Sequence, residues 1–592
     1  MNTPSKLLLS CFLFFFLISL FNSTLQAQLI IQARVVDAQT EQALAYATVA
    51  SISSQDGTLT NADGFFSLEV SSAQDSLTIS FLGYQSMRLQ AGSLRATPVV
   101  LLQPQSIELS DVTVFSEDEY LYRAVSDCRK TLRRAPNASS RAYLQLVTNS
   151  TEQPVELIQA YYNLDLSQRR IDNFRLKNGR VAMALQDSMF FVNLSTTQAL
   201  TQLDLYQSSG AFNRLPLHFN LRALRKKFEL RRLASLSNPD LYHIAFNPRE
   251  EGQALFSGEL WIDKNSFQLH KLVIRDEAVE EHPFFSVFPN KRIERLGLEL
   301  RYTFKEVPTG MQLSHIEWAY EVQLVPVSAA AQRGGLSLVQ TEGILHCYDY
   351  RSTFWEPFFD YDPQHNDYRK ISFLPYNPDF WSSSHGLVYT EQQLEQMAFF
   401  RDHGFLINHF DPSSDKEGFF EFNNPHWQAD YRSFYQEPQV PIPPPTDQVE
   451  LRLNAPSLPG FGQQQEEEIA VQIFLDLNRL GDSIQFTSVT VLDLYQTISQ
   501  PPYDSLDHCL LNMYFDLCEI ERRKMMEKLR GVNDYQQAAA IHATTKTELE
   551  RLQRSFFREV RGLKPEQMLR KWNYLIYREL GIDNLALFKI EG

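Results

Sequence analysis

Residues 258–274 read GELWIDKNSFQLHKLVI. Apolar and polar residues alternate on both sides of the turn-forming stretch DKNS (263–266), which is the period-two pattern of strands that bury one face. The sequence therefore predicts a β-hairpin here. Further strand-like runs lie at 143–147, 157–166, 242–246, 296–304 and 316–322. Together they predict a strongly curved antiparallel sheet over residues 141–350.

Shorter strand-like runs precede this region. They read IIQARVV (30–36), AYATVA (45–50), FFSLEV (65–70), SLTISF (76–81) and VVLL (99–102). The pair Asp63-Gly64 between two of them suits a hairpin turn. About seven strands at such spacing predict a small antiparallel β-sandwich.

This segment resembles the carboxypeptidase regulatory-like domain, a transthyretin-like sandwich common in exported proteins of Bacteroidota. The matching stretches are VVDAQT (35–40), GTLTNADGF (57–65) and ISFLGY (79–84), with LSDVTV (109–114) as the segment that trails such domains. The resemblance implies a structural or adaptor module over residues 28–103, without peptidase residues. Asp63 is interpreted as a turn residue, since no further oxygen ligand stands at a calcium-binding spacing.

The N-terminus carries Lys6 and then an apolar run over 7–21, followed by a polar stretch that ends at Ala27. The run is shorter than the roughly 20 residues that span a bilayer, so residues 1–27 are predicted to be a secretory signal peptide. An uncleaved anchor is the alternative, whereas a lipoprotein site at Cys11 is disfavoured because Cys11 lies inside the run. The mature chain is expected to begin near Gln28 and to contain no transmembrane segment.

Length, charge and cysteine content narrow the class of protein. A chain of 592 residues is longer than a single hydrophobic core supports, so several domains are expected. The net charge of −16 argues against nucleic acid as a partner. Beyond the leader, four cysteines remain without the spacing of a disulfide framework: Cys128, Cys347, Cys509 and Cys518. The last two share one predicted helix and lie too far apart to bridge, so they are predicted to be buried apolar residues.

An amphipathic helix is predicted at 117–134, within a connecting segment 117–136, because apolar residues recur at three- and four-residue steps. Its basic side is solvated or meets anionic lipid or glycan. Residues 351–437 are predicted to be irregular and rich in aromatic residues, which either line a carbohydrate-binding surface or, as we favour, pack loops over a sheet. Five histidines in or near this region lack a recognisable metal-ligand spacing: His365, His385, His403, His409 and His426.

A Pro/Gln/Glu-rich linker is predicted at 438–468, before a mainly helical C-terminal domain at 469–592. Runs at 471–477 and 483–491 predict a hairpin. Three helices are predicted at 505–530, 534–561 and 565–580, each followed by glycine. Between Glu519 and Arg578 there are 14 Lys or Arg and 8 Asp or Glu. This excess could bind an acidic partner or anionic polymer, although a solvated helical face is the simpler explanation.

The predicted fold class is multidomain and mainly β, with an N-terminal antiparallel β-sandwich, a curved antiparallel middle sheet and a C-terminal helical unit. The helix at 117–134, the strand at 157–166 and the hairpin resemble segments of uncharacterised Bacteroidota envelope proteins. The hairpin also resembles the curved sheets of periplasmic lipoprotein carriers, whose concave face holds acyl chains.

Three functional hypotheses follow. The first is an exported, non-catalytic scaffold, adaptor or binding protein in the periplasm or at the outer membrane. The second is a periplasmic lipid or lipoprotein carrier that uses the curved sheet, and the third is a peptide or glycan hydrolase with an accessory sandwich. No nucleophile, phosphate-loop or zinc motif is found, so no catalytic, cofactor-binding or metal-binding residue is assigned and no cofactor is predicted. The expected partners are unidentified envelope proteins, glycan or lipid, with peripheral association at a membrane.

Overall fold

The computed structural model of the protein describes most of the chain between Leu29 and Ile590. The described ranges are 29–53, 57–105, 119–150, 153–186, 189–190, 196–210, 212–233, 240–250, 252, 254–276, 291–326, 338–360, 367, 370–371, 374–375, 377–383, 386–403, 405–407, 432–434, 469–480, 483–493, 504–562 and 564–590. These residues divide into two compact units, each of which is described by itself: 29–105 with 386–393, and the remainder.

The first unit contains seven strands in two sheets. Their bounds are β1 Leu29–Asp37, β2 Thr48–Ser51, β3 Gly57–Leu59, β4 Phe65–Val70, β5 Ser76–Ser80, β6 Met87–Gln90 and β7 Val99–Leu102. One sheet has the order β4-β1-β7 and the other the order β3-β2-β5-β6. Alternate residues of both sheets form a common core that includes Val35, Phe66 and Ile79. The predicted sandwich is therefore confirmed.

Two details of the sandwich prediction were wrong. The sheet is not wholly antiparallel, because β1 pairs with β7 in parallel. The run predicted as a strand at 45–50 becomes a strand only at Thr48. Tyr46, with φ of 61°, takes a left-handed conformation that interrupts an extended strand.

The second unit is built on a curved antiparallel sheet of 11 strands. Their bounds are β8 Ala138–Ser150, β9 Gln153–Leu166, β10 Ile171–Met183, β13 Phe228–Arg232, β14 Leu241–Pro248, β15 Ser257–Asp263, β16 Leu269–Asp276, β17 Lys291–Val307, β18 Gly310–Pro326, β19 Leu338–Asp349 and β20 Phe405–Ile407. The order is β13-β14-β15-β16-β17-β18-β19-β8-β9-β10-β20. Two short strands, β11 Leu185–Gln186 and β12 Met189–Phe190, pair separately. The predicted hairpin is confirmed as β15 and β16.

The sheet and the helices extend into the region that was predicted to be irregular. Helices α4, Pro378–Ser383, and α5, Glu391–His403, lie within 351–437, and β20 adds an edge strand beside β10. The prediction of irregular structure was wrong for these segments. The proline and aspartate residues of this region were interpreted as breaks in regular structure. Pro378, however, stands at the first helical position, where proline is tolerated, rather than in a helix interior.

Helix α1, Glu119–Arg133, covers one face of the sheet, as the apolar spacing predicted. Leu121, Val125, Cys128 and Leu132 are each at most 1% exposed and join one core with the sheet. Burying such side chains stabilises the fold by roughly 1.5–3 kcal/mol each. Two hydrogen bonds fix the position of the helix: Tyr122 Oη donates to the Phe228 carbonyl at 3.0 Å, and Thr131 Oγ1 donates to the Phe267 carbonyl at 3.2 Å.

Short elements complete the cover on this face. They are helices α2, Thr196–Gln202, and α3, Leu221–Lys227, and a 3-10 turn at Pro216–His218. Leu200, Leu217 and Leu224 enter the same core. The face of the sheet that packs on α1 is thus occupied by segments of the same chain.

The C-terminal part of this unit is a three-stranded sheet with helices. The elements are β21 Arg432–Phe434, β22 Val471–Leu480, β23 Ser483–Asp493, α6 Ser505–Leu529, α7 Tyr535–Val560, α8 Pro565–Leu580 and α9 Asn584–Leu587. The predicted hairpin and the three long helices are confirmed. Gly531 and Gly581 have the positive φ of glycine stops, but Gly562 does not. Its N–H instead donates to the Glu559 carbonyl at 3.2 Å, which closes α7 with a tight turn.

None of the described helices combines the length and apolarity needed to cross a bilayer. The leader predicted at 1–27 and the linker predicted at 438–468 lie outside the described residues.

Trp318 covers a glycine on the neighbouring strand. It pairs directly with Gly343, and a Cβ atom at Gly343 would lie 2.2 Å from Trp318 Cζ2. Trp318 is 2% exposed, so its indole has little room to move. We expect Gly343→Ala to lower the free energy of unfolding by about 1–3 kcal/mol, because overpacking displaces buried groups. Denaturant unfolding followed by tryptophan fluorescence measures the change.

Gly297 provides the matched control for this prediction. It also lies inside a long strand of the same sheet, but a Cβ atom there would meet nothing within 4 Å. Gly297→Ala should leave stability unchanged or raise it by up to about 1 kcal/mol, since alanine loses less backbone entropy. Equal destabilisation by both substitutions would contradict the steric argument.

Candidate functional site

A buried ion pair joins the large sheet to the C-terminal strands. Lys177 is the extra residue of a register shift in β10, between Leu176 and Asn178, and such a bulge turns a side chain in a new direction. Its ammonium donates to the Asp476 carboxylate of β22 and to the carbonyl oxygens of Trp355 and Leu477, at 2.9 and 3.0 Å. The three N–H donors of the lysine are therefore all used.

The carboxylate is equally well surrounded. Asp476 Oδ1 also accepts the N–H of Leu477 at 2.9 Å, and Oδ2 accepts from Asn377 Nδ2 at 2.7 Å. Asn377 in turn accepts through Oδ1 from Thr487 Oγ1 of β23 at 3.2 Å. We call Lys177, Asp476 and Asn377 the buried latch, since they connect β10, the segment before α4 and the C-terminal hairpin.

Both charges of the buried latch are removed from water: the side chains of Lys177 and Asp476 are 1% and 0% exposed. Burial lowers the pKa of Lys177, and the negative charge of Asp476 opposes that effect. The arrangement leaves no ligand position open between the two groups, because each is saturated by neighbours of the same chain. It therefore supports a role in holding elements together and not in acid–base chemistry.

An aromatic cluster lies beside the buried latch. The ring of Tyr161 in β9 packs against Tyr143, Phe354, Phe380 and Trp381, with centroid distances of 5.0, 6.0, 5.1 and 5.2 Å. These contacts, of which the one with Tyr143 is tilted and the others are edge-on, bury large apolar areas. The interpretation that aromatic residues of 351–437 pack over a sheet is confirmed for Phe354, Phe380 and Trp381.

A second polar feature crosses the face of the sheet opposite α1. Ion pairs, with a histidine–carboxylate contact at each end, connect side chains on successive strands from β14 to β18 in a continuous series: His243–Glu259 (2.7 Å), Glu259–Arg275 (2.8 Å), Arg275–Glu299 (2.8 Å), Glu299–Arg301, Arg301–Glu317 (3.4 Å) and Glu317–His315 (3.5 Å). We call this series the charge ladder. Each contact joins two side chains on the same face of the sheet, which belong either to neighbouring strands or to one strand.

Two carboxylates of the charge ladder, those of Glu259 and Glu317, have a lowered pKa. Burial raises the pKa of Glu259, but hydrogen bonds from Arg275 and His243 outweigh it, so the pKa lies below its usual value. The same balance lowers the pKa of Glu317, where burial is outweighed by His315, Lys271 and Arg301. A general acid needs a raised pKa, so these carboxylates are suited to binding strands together rather than to proton transfer.

Residues singled out in the sequence fall into three groups. Cys509 and Cys518 are buried and free, as predicted, and so are Cys128 and Cys347. Asp63 lies in the predicted turn, where its N–H donates to Asn61 Oδ1 at 3.0 Å. Four of the histidines weighed as metal ligands and the side chain of His403 lie outside the described residues. Within the described ranges, no three His, Cys, Asp or Glu side chains are placed to hold a metal ion.

The buried latch was not predicted. Lys177 and Asp476 are 299 residues apart, and nothing local connects them. The only available signal was a single charged residue inside an apolar strand, as in IFLDLN (473–478). Such a residue usually has a partner when it is buried.

We expect Lys177→Met to lower the free energy of unfolding by about 3–5 kcal/mol, because it leaves Asp476 as an uncompensated buried charge. Amide hydrogen exchange in β22 and β23 should rise together with this loss. The double variant K177M/D476L should recover part of the stability, since no buried charge then remains.

An exposed ion pair supplies the control for the latch prediction. Lys546 of α7 pairs with Asp360 at 2.8 Å, but the two side chains are 58% and 73% exposed. Lys546→Met should therefore cost at most about 1 kcal/mol. The latch argument fails if K177M and K546M have the same effect.

His218 is a buried neutral histidine near α1. Its Nδ1 accepts the N–H of Leu215 at 3.1 Å, so its other nitrogen, 2.8 Å from the Asp204 carbonyl, carries the proton and donates. Burial lowers the pKa of His218 from 6.5 to about 4. The depressed pKa means that the unfolded chain takes up a proton first as the pH falls.

This histidine should make stability pH-dependent. The stabilisation is complete above pH 6.5, is lost as the pH falls towards 4, and changes no further below that value. The loss should amount to about 3 kcal/mol. His218→Asn can keep an acceptor for Leu215 but does not titrate, so its free energy of unfolding should fall less between pH 7 and pH 4 than that of the parent. Parallel pH profiles for the two proteins would rule out His218 as the cause.

Comparison with known proteins identifies the N-terminal part of the chain. Residues 31–114 match the family model of the CarboxypepD_reg-like domain. The chain therefore contains a carboxypeptidase regulatory-like domain, as the sequence motifs predicted, and the described strands of the first unit are its sandwich. No curated protein matches the chain.

Solved structures match a part of the chain. A DUF1329 family protein from Desulfovibrio piger is 10% identical, with 40% of this chain and 95% of that chain covered and a TM-score of 0.16. A LolA superfamily protein from Nitrosomonas europaea is 13% identical, with 39% and 94% covered and a TM-score of 0.17. A putative outer membrane lipoprotein-sorting protein domain from Vibrio parahaemolyticus is 10% identical, with 40% and 94% covered and a TM-score of 0.18. Likenesses at these TM-scores carry no weight for function.

Proposed function

We propose that this chain is an exported, non-catalytic protein of the cell envelope that serves as a scaffold, adaptor or binding protein in the periplasm or at the outer membrane. Export is inferred from the apolar run at 7–21 and the small residue Ala27 after it. The carboxypeptidase regulatory-like domain adds a module that carries no peptidase residues.

The observation that carries the proposal is the occupation of the sheet by the chain itself. Leu121, Val125 and Leu132 of α1 are each 1% exposed against the apolar face, where an acyl-chain carrier would keep space for its cargo. The opposite face is covered by the aromatic cluster near β9 and crossed by the charge ladder farther along. A sheet filled on one side and cross-linked on the other is a rigid support.

The buried latch extends this support to the C-terminal helices. Because β22 is fixed to β10 through Lys177 and Asp476, helices that pack on β22 and β23 are held at a defined position. Thr490 of β23 donates to Glu519 of α6 at 2.7 Å, and His542 of α7 lies 2.9 Å from the Ile473 carbonyl of β22. These contacts support the proposal that the helices form the adaptor surface.

The proposal is tested by fractionating native cells and recovering the protein from the envelope after a high-salt wash. We expect recovery in the envelope fraction without the 1–27 leader, with protein partners captured by cross-linking and without a stoichiometric acyl lipid on mass spectrometry of the extract. Recovery in the cytosol would contradict export. One tightly held lipid per chain after the wash would contradict the scaffold proposal and favour a lipid carrier. A lipid enclosed by the sheet would not be removed by salt.

A further inference from the structure

The solvent side of α7 changes character along its length. Its buried positions, including Thr545, Leu549 and Phe556, fall on one side of the helix. Directly opposite, the first half presents uncharged residues such as Ala540 and Thr547, whereas the last turns present four exposed arginines: Arg551, Arg554, Arg558 and Arg561. Steps of three and four residues place them in one line about 15 Å long. We call this line the arginine face.

The arginine face is only partly neutralised by the described residues of the unit. Arg551 pairs with Glu548 at 2.8 Å, but in the described part of the chain Arg554 and Arg558 have no carboxylate partner. Glu559, which directly follows Arg558, binds Lys571 of α8 at 2.8 Å, and Arg554 donates through Nε to the backbone carbonyl of Glu550 at 3.2 Å. Two guanidinium groups are therefore available to an external anion.

The neighbouring helix adds exposed aromatic rings to this charge. Tyr574 and Tyr577 of α8 are 66% and 57% exposed, and Arg570 and Arg578 flank them. Helices α7 and α8 lie side by side, since Phe556 meets Trp572 at a centroid distance of 5.8 Å. Tyrosine with an apolar ring and a polar tip is enriched where membrane meets water.

We propose that the outer faces of α7 and α8 dock on an anionic lipid surface, with the arginines binding headgroup phosphates. Arginine presents a planar fork that matches phosphate oxygens. Charge complementarity supports this occupant: Tyr535–Leu580 contains 9 Lys or Arg and 5 Asp or Glu, in a chain of net charge −16. The acidic remainder is repelled by an anionic surface, which orients the molecule with these helices towards the lipid.

The test uses flotation of the purified full chain with phosphatidylcholine vesicles, with and without about 30% phosphatidylglycerol. We expect binding only to the anionic vesicles, and weaker binding at about 300 mM than at about 50 mM NaCl. R554Q/R558Q should reduce partitioning about 25-fold, at roughly fivefold for each arginine. Tyr574→Ser with Tyr577→Ser should reduce the part of the binding that resists salt.

The control variant removes two exposed cations elsewhere. Arg222 and Lys226 of α3 are also exposed, so R222Q/K226Q changes the net charge equally and should bind as the parent does. The apolar run at 7–21 is common to all variants, so only differences between them are scored. Equal binding of R554Q/R558Q and the control, or equal binding of the parent to neutral vesicles, would overturn the proposal.

Two further measurements distinguish lipid headgroups from other anions that the arginines could bind. Millimolar inorganic phosphate should not displace the vesicles, and displacement would reassign the arginines to a free anion. Arginine-dependent capture on polyglutamate beads without vesicle binding would reassign them to an acidic protein. The inference rests on the proposed envelope location, but vesicle binding is measured in vitro. Its failure therefore leaves the outcome of cell fractionation unaffected.

Discussion

The ion pair of Lys177 and Asp476 ties β10, the segment around Trp355 and Asn377, and β22 to one another. Removing two charges from water costs several kcal/mol per ion, and the mutual attraction offsets this only when every donor and acceptor is satisfied. Here the carbonyls of Trp355 and Leu477 and the amide of Asn377 complete both groups. An apolar pair of similar size is often as stabilising as a buried ion pair, but here it would leave the carbonyls of Trp355 and Leu477 and the amide of Asn377 without their partners. The ion pair therefore contributes specificity: sliding β22 by one residue would turn Asp476 to the other face and leave Lys177 unpaired.

The same contact accounts for order in a region that reads as irregular. Trp355 and Asn377 belong to the aromatic segment after β19, and both are required to satisfy the buried charges. Once they are fixed, Phe354 and Phe380 are positioned around Tyr161, and Phe358 pairs with Leu475 of β22. Polar satisfaction and aromatic packing thus act on the same residues. Trp355 and Asn377 are thus held in place by charges that cannot be left unpaired.

Features that depend on nearby residues could be predicted from the sequence, whereas features that depend on distant residues could not. Hairpin 258–274, helix α1 and helices α6–α8 were predicted because their periodicity is local and their stop signals stand beside them. The parallel pairing of β1 with β7, edge strand β20 and the buried latch depend on residues far apart in the chain, and composition carries no trace of them. The charge ladder is intermediate: Glu259 and Arg275 are visible in the hairpin, but their pairing needs the register that only the folded sheet supplies.

The charge ladder and the arginine face differ in how completely their charges are balanced. On the sheet, each carboxylate of the charge ladder has cationic neighbours, so the net field that a ligand would experience there is small. On α7 the arginines outnumber the acids that reach them, and Glu559 is committed to Lys571. Unbalanced charge on a surface costs little in folding because water solvates it, but it persists as a potential that attracts counter-charge. A sheet whose ladder charges are paired and a helical face on which Arg554 and Arg558 lack a carboxylate partner among the described residues are complementary features: the first provides position and the second provides attraction.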